Sequence, residues 1–365
     1  MNASLDLNQR PLVVIWETTQ ACDLACFHCR ACAQPQRNPM ELSTQEAENL
    51  LHQVADLNPP IFIMTGGDPL KRHDITHLVK YATELGLHPA MTPSATPLLT
   101  ASAIHELKQA GLSRLAVSLD GSVPELHDTF RGVPGSYART LDAIRWANEA
   151  KLPIQVNTSV SKRNLHDLDN MALLLEKLKI VLWSVFFLVP TGRGQQEDLP
   201  SAAEFEQCFA KLYRRAPLAP FKIKTTEAQH YRRFVLQQRQ KLDASTNMPT
   251  QSDGDFPGAP GLLPINDGKG FVFISHTGAV CPSGFLPVSG GNVCSRSLTD
   301  IYRNSEVFRR LRDTSNLKGK CHDCEFRGIC GGSRARAYAI TGEMFAEDPC
   351  CVFQPVTSRS EVGVA

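Results

Sequence analysis

The chain has 365 residues, of which 42% are apolar, and a formal net charge of +1. That length accommodates two domains, and the near-zero charge offers no basic footprint for nucleic acid. No basic segment followed by an apolar run opens the sequence, and the longest apolar stretch, 180–190, is too short to span a bilayer and is broken by Ser184, so a soluble cytoplasmic protein that engages neither membrane nor nucleic acid is expected.

Residues 11–17 are β-branched and apolar and read as a strand. A loop follows with the sequence Cys22-Asp23-Leu24-Ala25-Cys26-Phe27-His28-Cys29. Ser43-Thr44-Gln45-Glu46 is a capping box, and Leu50, Leu51, Val54 and Leu57 continue it at helical spacing. Strand-like 61–64 leads into Thr65-Gly66-Gly67-Asp68-Pro69. A helix over 75–85 ends at Gly86. Strands are predicted over 87–92, 114–119, 154–160 and 181–189, and helices over 101–110, 137–150, 168–178 and 201–215. Six strands alternating with helices argue for a parallel α/β sheet, open or closed into a barrel. Residues 222–233 are strongly polar and read as a solvated helix face or a surface for an acidic substrate. Residues 240–264 are rich in Ser, Thr, Asp, Gly and Pro and read as a linker. A small hairpin is expected over 268–280, then a helix over 297–312.

Twelve cysteines in a cytoplasmic chain point to metal or redox chemistry rather than disulfides. Three of them, Cys22, Cys26 and Cys29, form a C-x3-C-x2-C run. A [4Fe–4S] cluster normally takes four thiolates, so three ligands on one loop leave an iron open to a small chelating ligand. Cys32 lies close; if it ligated the fourth iron, the cluster would serve electron transfer alone. Near the C-terminus Cys321, Cys324 and Cys330 form C-x2-C-x5-C, with Cys350 and Cys351 about twenty residues on. Four such thiolates suit zinc or a second [4Fe–4S] cluster, and spacing alone does not choose. Cys208 stands alone and reads as structural.

The C-x3-C-x2-C loop, with Phe27-His28 ahead of its last cysteine, resembles that of the radical S-adenosylmethionine (radical SAM) enzymes. The resemblance implies a partial (β/α)6 TIM-like barrel over 11–200, with a helical segment and linker over 201–264. A small iron–sulfur domain of hairpin plus helices would follow over 265–355, between a short N-terminal segment, 1–10, and a tail, 356–365. It implies a cluster on Cys22, Cys26 and Cys29 whose open iron is chelated by SAM. Reductive cleavage of SAM then gives a 5′-deoxyadenosyl radical that takes hydrogen from the substrate. Gly66-Gly67-Asp68-Pro69 resembles the family's GGEP motif, with Asp68 in place of Glu. SAM contacts are expected from Thr65, Gly66, Gly67 and Asp68, from Ser94, Ser118, Asp120 and Arg131 at and after the ends of strands three and four, and from Asn157 in strand five. Such ends carry the chemistry of barrels of this kind. No particular catalytic side chain stands out.

The hairpin, helix, C-x2-C-x5-C-Gly-Gly and trailing cysteine resemble a truncated, twitch-like form of the SPASM extension of these enzymes. The full SPASM block continues C-x3-C, and Arg334 occupies that last position. One auxiliary [4Fe–4S] cluster is therefore expected, on Cys321, Cys324, Cys330 and Cys350, with Cys351 the alternative fourth ligand and Cys281 and Cys294 as free thiols. The resemblance covers 11–355 and extends to enzymes that mature peptides or peptide-derived cofactors and to those that trim tetrapyrrole side chains in haem synthesis. The segment Phe186-Phe187-Leu188-Val189-Pro190-Thr191-Gly192-Arg193-Gly194 is similar to theirs. It implies an oxidative modification of a tetrapyrrole side chain or a peptide, with a low-potential flavodoxin or ferredoxin as reductant. No leader-peptide-binding domain precedes the first strand, which tilts the expectation toward a compact acidic substrate. The rival class is an iron–sulfur relay or sensor with no SAM chemistry.

Overall fold

The computed structural model describes residues 6–246 and 263–355. The predicted tail and most of the predicted linker lie outside them. One ten-stranded sheet organises the chain, in the order β10-β9-β8-β1-β2-β3-β4-β5-β6-β7. The strands are β1 Val13–Glu17, β2 Ile61–Thr65, β3 Pro89–Met91, β4 Arg114–Ser118, β5 Ile154–Val160, β6 Leu182–Phe187, β7 Lys222–Thr226, β8 Phe271–Ile274, β9 Ala279–Cys281 and β10 Gly291–Asn292. From β8 through β1 to β7 every neighbouring pair is parallel. Only β8–β9 and β9–β10 are antiparallel.

Helices cover one face of this curved sheet. The first, Thr44–Leu57, begins at Ser43 with both halves of its capping box made and buries Ala47, Leu50, Leu51, Val54 and Leu57. Those side chains join Val14, Trp16, Phe62 and Met64 of the strands in one core. Period-2 alternation sends the other residues of each strand to the inner face. That face is why these strands are not uniformly apolar, although they are parallel and enclosed.

The sequence-based elements recur with small boundary shifts, and three differences bear on the site. Residues 201–264, expected to be helix and linker, also contribute a strand: Lys222–Thr226 becomes β7, because Ile223 faces the helices while the lysines on either side of it do not. The predicted hairpin does not form a separate unit, since β8 pairs in parallel with β1 and extends the barrel sheet. The helix expected over 297–312 is two, Leu298–Asn304 and Glu306–Arg312, broken at Ser305, whose ψ of 143° is extended.

The C-terminal segment spans the gap between β7 and β8. Helix Arg334–Thr341 starts at Ser333, whose hydroxyl donates to Glu227 Oε2 at 2.6 Å. Arg336 pairs with Asp348 at 2.7 Å, both side chains fully buried, and donates to the Glu227 carbonyl at 2.7 Å. Asn266, just before β8, donates to the carbonyls of Cys330 and Gly332 at 3.1 and 2.9 Å. No helix among the described residues is long and apolar enough to cross a membrane.

Candidate active site

The sheet encloses a cavity of about 280 Å³. Cys22, Cys26 and Cys29 line it, on the loop after β1, and so do Thr65, Gly66 and Gly67 after β2. Ser94, Ser118, Arg131 and Asn157 line it too. The expected residues thus converge from the ends of the first four strands and from the middle of β5. Two do not reach the cavity wall. Asp68 is fully buried beneath it, accepting from Thr96 Oγ1 at 2.8 Å and from the amides of Leu70 and Ser94. Burial pushes its carboxyl up to about 6. Asp120 is fully buried, is ion-paired with Arg131 and accepts from the Ser159 amide at 2.8 Å. Asp68 therefore joins the β2 and β3 loops, and Asp120 fixes Arg131.

The cysteine loop is clasped from several sides by backbone. Gly66 and Gly67 lie so close to the residues preceding the loop that a Cβ would stand 2.6 Å from Thr19 O and 2.4 Å from Ala21 O. The close approach that demands glycine there is to the protein's own chain. The amides of Gly67 and Asp68 donate to those same carbonyls at 2.8 and 2.6 Å. From the far side, Gly192 has φ +62° and would place a Cβ 2.4 Å from both Cys29 O and Arg30 O. Its neighbour Arg193 donates through its amide to Cys29 O at 3.0 Å and through Nε to Cys26 O at 2.9 Å. The Arg193 clasp was not foreseen; its signal was the Thr191-Gly192-Arg193-Gly194 run after strand six.

A guanidinium and a hydroxyl stand beside two of the loop's thiols. Burial pushes the Cys26 thiol up, and the Arg131 guanidinium, 3.7 Å from Cys26 Sγ, pulls it back. Ser94 Oγ stands 3.3 Å from Cys22 Sγ. Cys32 is exposed, at φ 47°, and does not line the cavity. His28 does line it; the residue is half-buried, its Nδ1 is buried with no partner among the described residues, and desolvation carries it well below the ordinary histidine range. Arg30 pairs with Glu17 at 2.7 Å, and Glu17 also meets His276 at 2.7 Å, tying the loop to the β8–β9 hairpin.

The second cysteine group surrounds a much smaller cavity, about 20 Å³, lined by Cys321, Cys324, Cys330 and Cys351. Cys350 faces elsewhere, its thiol 3.9 Å from Pro200 O. Basic side chains crowd this cavity: Arg233, Lys320 and Arg327 line it, and Arg334 reaches Cys321 Sγ at 3.9 Å. Cys281 is buried on β9 and Cys294 is exposed; neither lines the second cavity.

The chain is similar to known proteins along nearly its whole length. Residues 16–175 match the model of the radical SAM superfamily, and residues 266–325 match that of the SPASM iron–sulfur cluster-binding domain. The chain is 40% identical to an AdoMet-dependent heme synthase of Methanosarcina barkeri, over 96% of this chain and 98% of that one. It is 29% identical to a PqqA peptide cyclase of Rhodopseudomonas palustris, over 96% of this chain and 89% of that one. The crystal structure of Streptococcus suis SuiB bound to S-adenosylmethionine shares the fold, with a TM-score of 0.72 at 18% identity over 94% of this chain and 78% of that one. The chain belongs to the radical SAM superfamily: it is an enzyme that uses a [4Fe–4S] cluster and S-adenosylmethionine, and it carries a SPASM domain for an auxiliary iron–sulfur cluster.

Proposed function

We propose that this enzyme oxidatively modifies a carboxylate-bearing side chain of a tetrapyrrole. The observation that carries the reading is the 40% identity, over nearly the whole of both chains, to a protein named for haem synthesis. The peptide cyclases are more distant, at 29%. The cavity supports the same choice. Its β8 side presents Phe271 and Phe273, with Phe285 nearby, and its β4–β7 side presents Ser118, Asn157, Ser184 and Thr226. A flat apolar ring with polar substituents matches such a two-sided wall.

Cys22, Cys26 and Cys29 would hold the first cluster, and their donor set of three soft thiolates fits it. The unpartnered Nδ1 of His28 and the hydroxyls and amide of Ser94, Ser118 and Asn157 fit a ligand rich in donors and acceptors. With SAM bound, this centre supplies the 5′-deoxyadenosyl radical that abstracts a hydrogen atom, and the auxiliary cluster supplies an acceptor for the electron left on the substrate. Arg131, anchored by Asp120, would steady the Cys26 thiolate, and Arg193 would fix the loop's carbonyls. The auxiliary cluster would sit on Cys321, Cys324, Cys330 and Cys351; the cavity geometry favours Cys351 over Cys350 as the fourth ligand. The chain would work in the reducing cytoplasm and take electrons from a flavodoxin or ferredoxin.

The test is an anaerobic reaction with dithionite, SAM and either iron coproporphyrin or a peptide substrate of the cyclases, read as 5′-deoxyadenosine and product mass. A porphyrin product that depends on SAM is expected. Turnover raised by the peptide and not by the porphyrin would replace this reading with the peptide one.

A further inference from the structure

Lys224 lies on the inner face of β7 and lines the main cavity. Strand register sets it at the end of a row. Ser118 on β4 pairs with Asn157 on β5, Asn157 with Ser184 on β6, and Ser184 with Lys224. All four side chains face the cavity. Neighbouring strands stand about 4.8 Å apart, so Lys224 is about 10 Å from Asn157 across the wall. The ammonium group is the only cation on this row, and no hydrogen bond or ion pair to it occurs among the described residues.

Among the described residues no counter-charge bears on it. Arg232 and Arg114 are the charged groups that bear on it, and both are positive. Arg232 spends its own donors on the carbonyls of Ile329 and Ile265, at 2.9 and 2.6 Å. Glu227, three residues on, has its carboxyl turned to Ser333. The crowding of the cavity wall and the two guanidiniums pull the Lys224 amine below the ordinary lysine range, although its side chain stays open to the cavity. Lys224 is exposed into the cavity and not sealed off from it, so an ammonium group with no partner of its own is open to an anion that enters there.

We infer that Lys224 is the subsite for a carboxylate of the substrate, placed at the far end of the polar row from Ser118. This assignment rests on the reading of an acidic tetrapyrrole substrate and adds the residue that selects its charge. A carboxylate on the Lys224 side would orient the macrocycle between the aromatic wall of β8 and the polar row. The side chain beside it would then point toward Ser118 and Asn157.

The holoenzyme and its Lys224→Gln and Lys224→Arg variants are titrated anaerobically, by the Soret band, with a porphyrin bearing four propionates and with one bearing only alkyl groups. K224Q is expected to weaken tetrapropionate binding about tenfold or more, the usual scale for a lost charge-assisted hydrogen bond. K224R should retain most of it, and the alkyl porphyrin should bind all three proteins alike. Equal tetrapropionate affinity in wild type and K224Q overturns the assignment. A second arm needs no porphyrin: a small dicarboxylate at millimolar concentration should protect Lys224 from acylation, read by peptide mass spectrometry. Failure of the wild type to bind any porphyrin would sink the tetrapyrrole reading, and the acylation arm would then decide Lys224 alone. Acylation unaffected by the dicarboxylate counts against the subsite.

Discussion

The two cysteine centres use the same donor atom in opposite surroundings. Cys22, Cys26 and Cys29 open onto a cavity of about 280 Å³, on a loop held by backbone contacts from the segments after β2 and β6. Cys321, Cys324, Cys330 and Cys351 close around about 20 Å³, beside Arg233, Lys320, Arg327 and Arg334. A loop with three thiols and an open cavity suits a centre that must admit a ligand. Four thiols in a tight, basic pocket suit one that exchanges only electrons, since a cluster's net charge and the hydrogen bonds to its sulfurs set its potential. The two sites are physically joined: Asn266, ahead of β8, binds the Cys330 carbonyl, and Glu227, at the rim of the main cavity, binds Ser333.

The sharpest way to break this contrast is to remove one thiol from each site. Cys26→Ala should eliminate 5′-deoxyadenosine formation and reduce iron from about eight to about four per chain, as read by anaerobic iron analysis and product chromatography. Cys351→Ser should also remove about four irons, while SAM cleavage without substrate persists. Cys350→Ser, with its thiol turned to Pro200 O, should keep the full iron content. The reverse result for the last pair would return the fourth position to Cys350.

A smaller effect is expected from the clasp. Gly192→Ala brings a Cβ within 2.4 Å of two carbonyls at φ +62°. Strain of that kind costs about 1–3 kcal/mol, so lower thermal stability and incomplete iron at the first site are expected, with the auxiliary site filled. An alanine variant with wild-type iron would show that the clasp does not hold the loop.

The smallest expected effect concerns pH. His127 accepts the Asp120 amide on Nδ1 at 3.1 Å, and burial lowers its pKa from 6.5 to about 3. Above pH 6.5 folded and unfolded chains are both neutral there, and this contribution to stability is complete. Below it the unfolded chain takes the proton first, and stability falls by about 1.4 kcal/mol per pH unit for this group until about pH 3. Unfolding midpoints between pH 7.5 and 5.5 should show this decline, and His127→Gln should flatten it. An identical slope in the variant would assign the decline to other groups, such as His230, lowered to about 3 by its own burial.

Much of this was legible in the sequence, for physical reasons that differ by element. Cysteine spacing located both centres because ligands on one short loop must be close whatever the fold. Runs such as residues 61–64 and 154–160 read as strands because their branched residues fit a pleated surface. β7 did not, since its Lys-Ile-Lys-Thr-Thr sequence puts a cation toward the cavity and looks like a surface. The choice between Cys350 and Cys351 is closed to spacing because adjacent residues differ only in direction; Cys350 turns to the Pro200 carbonyl and Cys351 lines the second cavity. The motif at Gly66 and Gly67 points to SAM contacts, and the structure fills much of the room those glycines leave with Thr19 and Ala21. The break at Ser305 is hidden in the sequence because apolar spacing runs through it.

The central claim is that three thiols leave an iron free for SAM, and electron paramagnetic resonance tests it most directly. The Cys351→Ser variant isolates the first cluster, which is then reduced with dithionite in the absence of air. Addition of SAM should shift its g-values, as new ligation at one iron requires. A signal unchanged by saturating SAM, in protein with about four irons per chain, would contradict the claim.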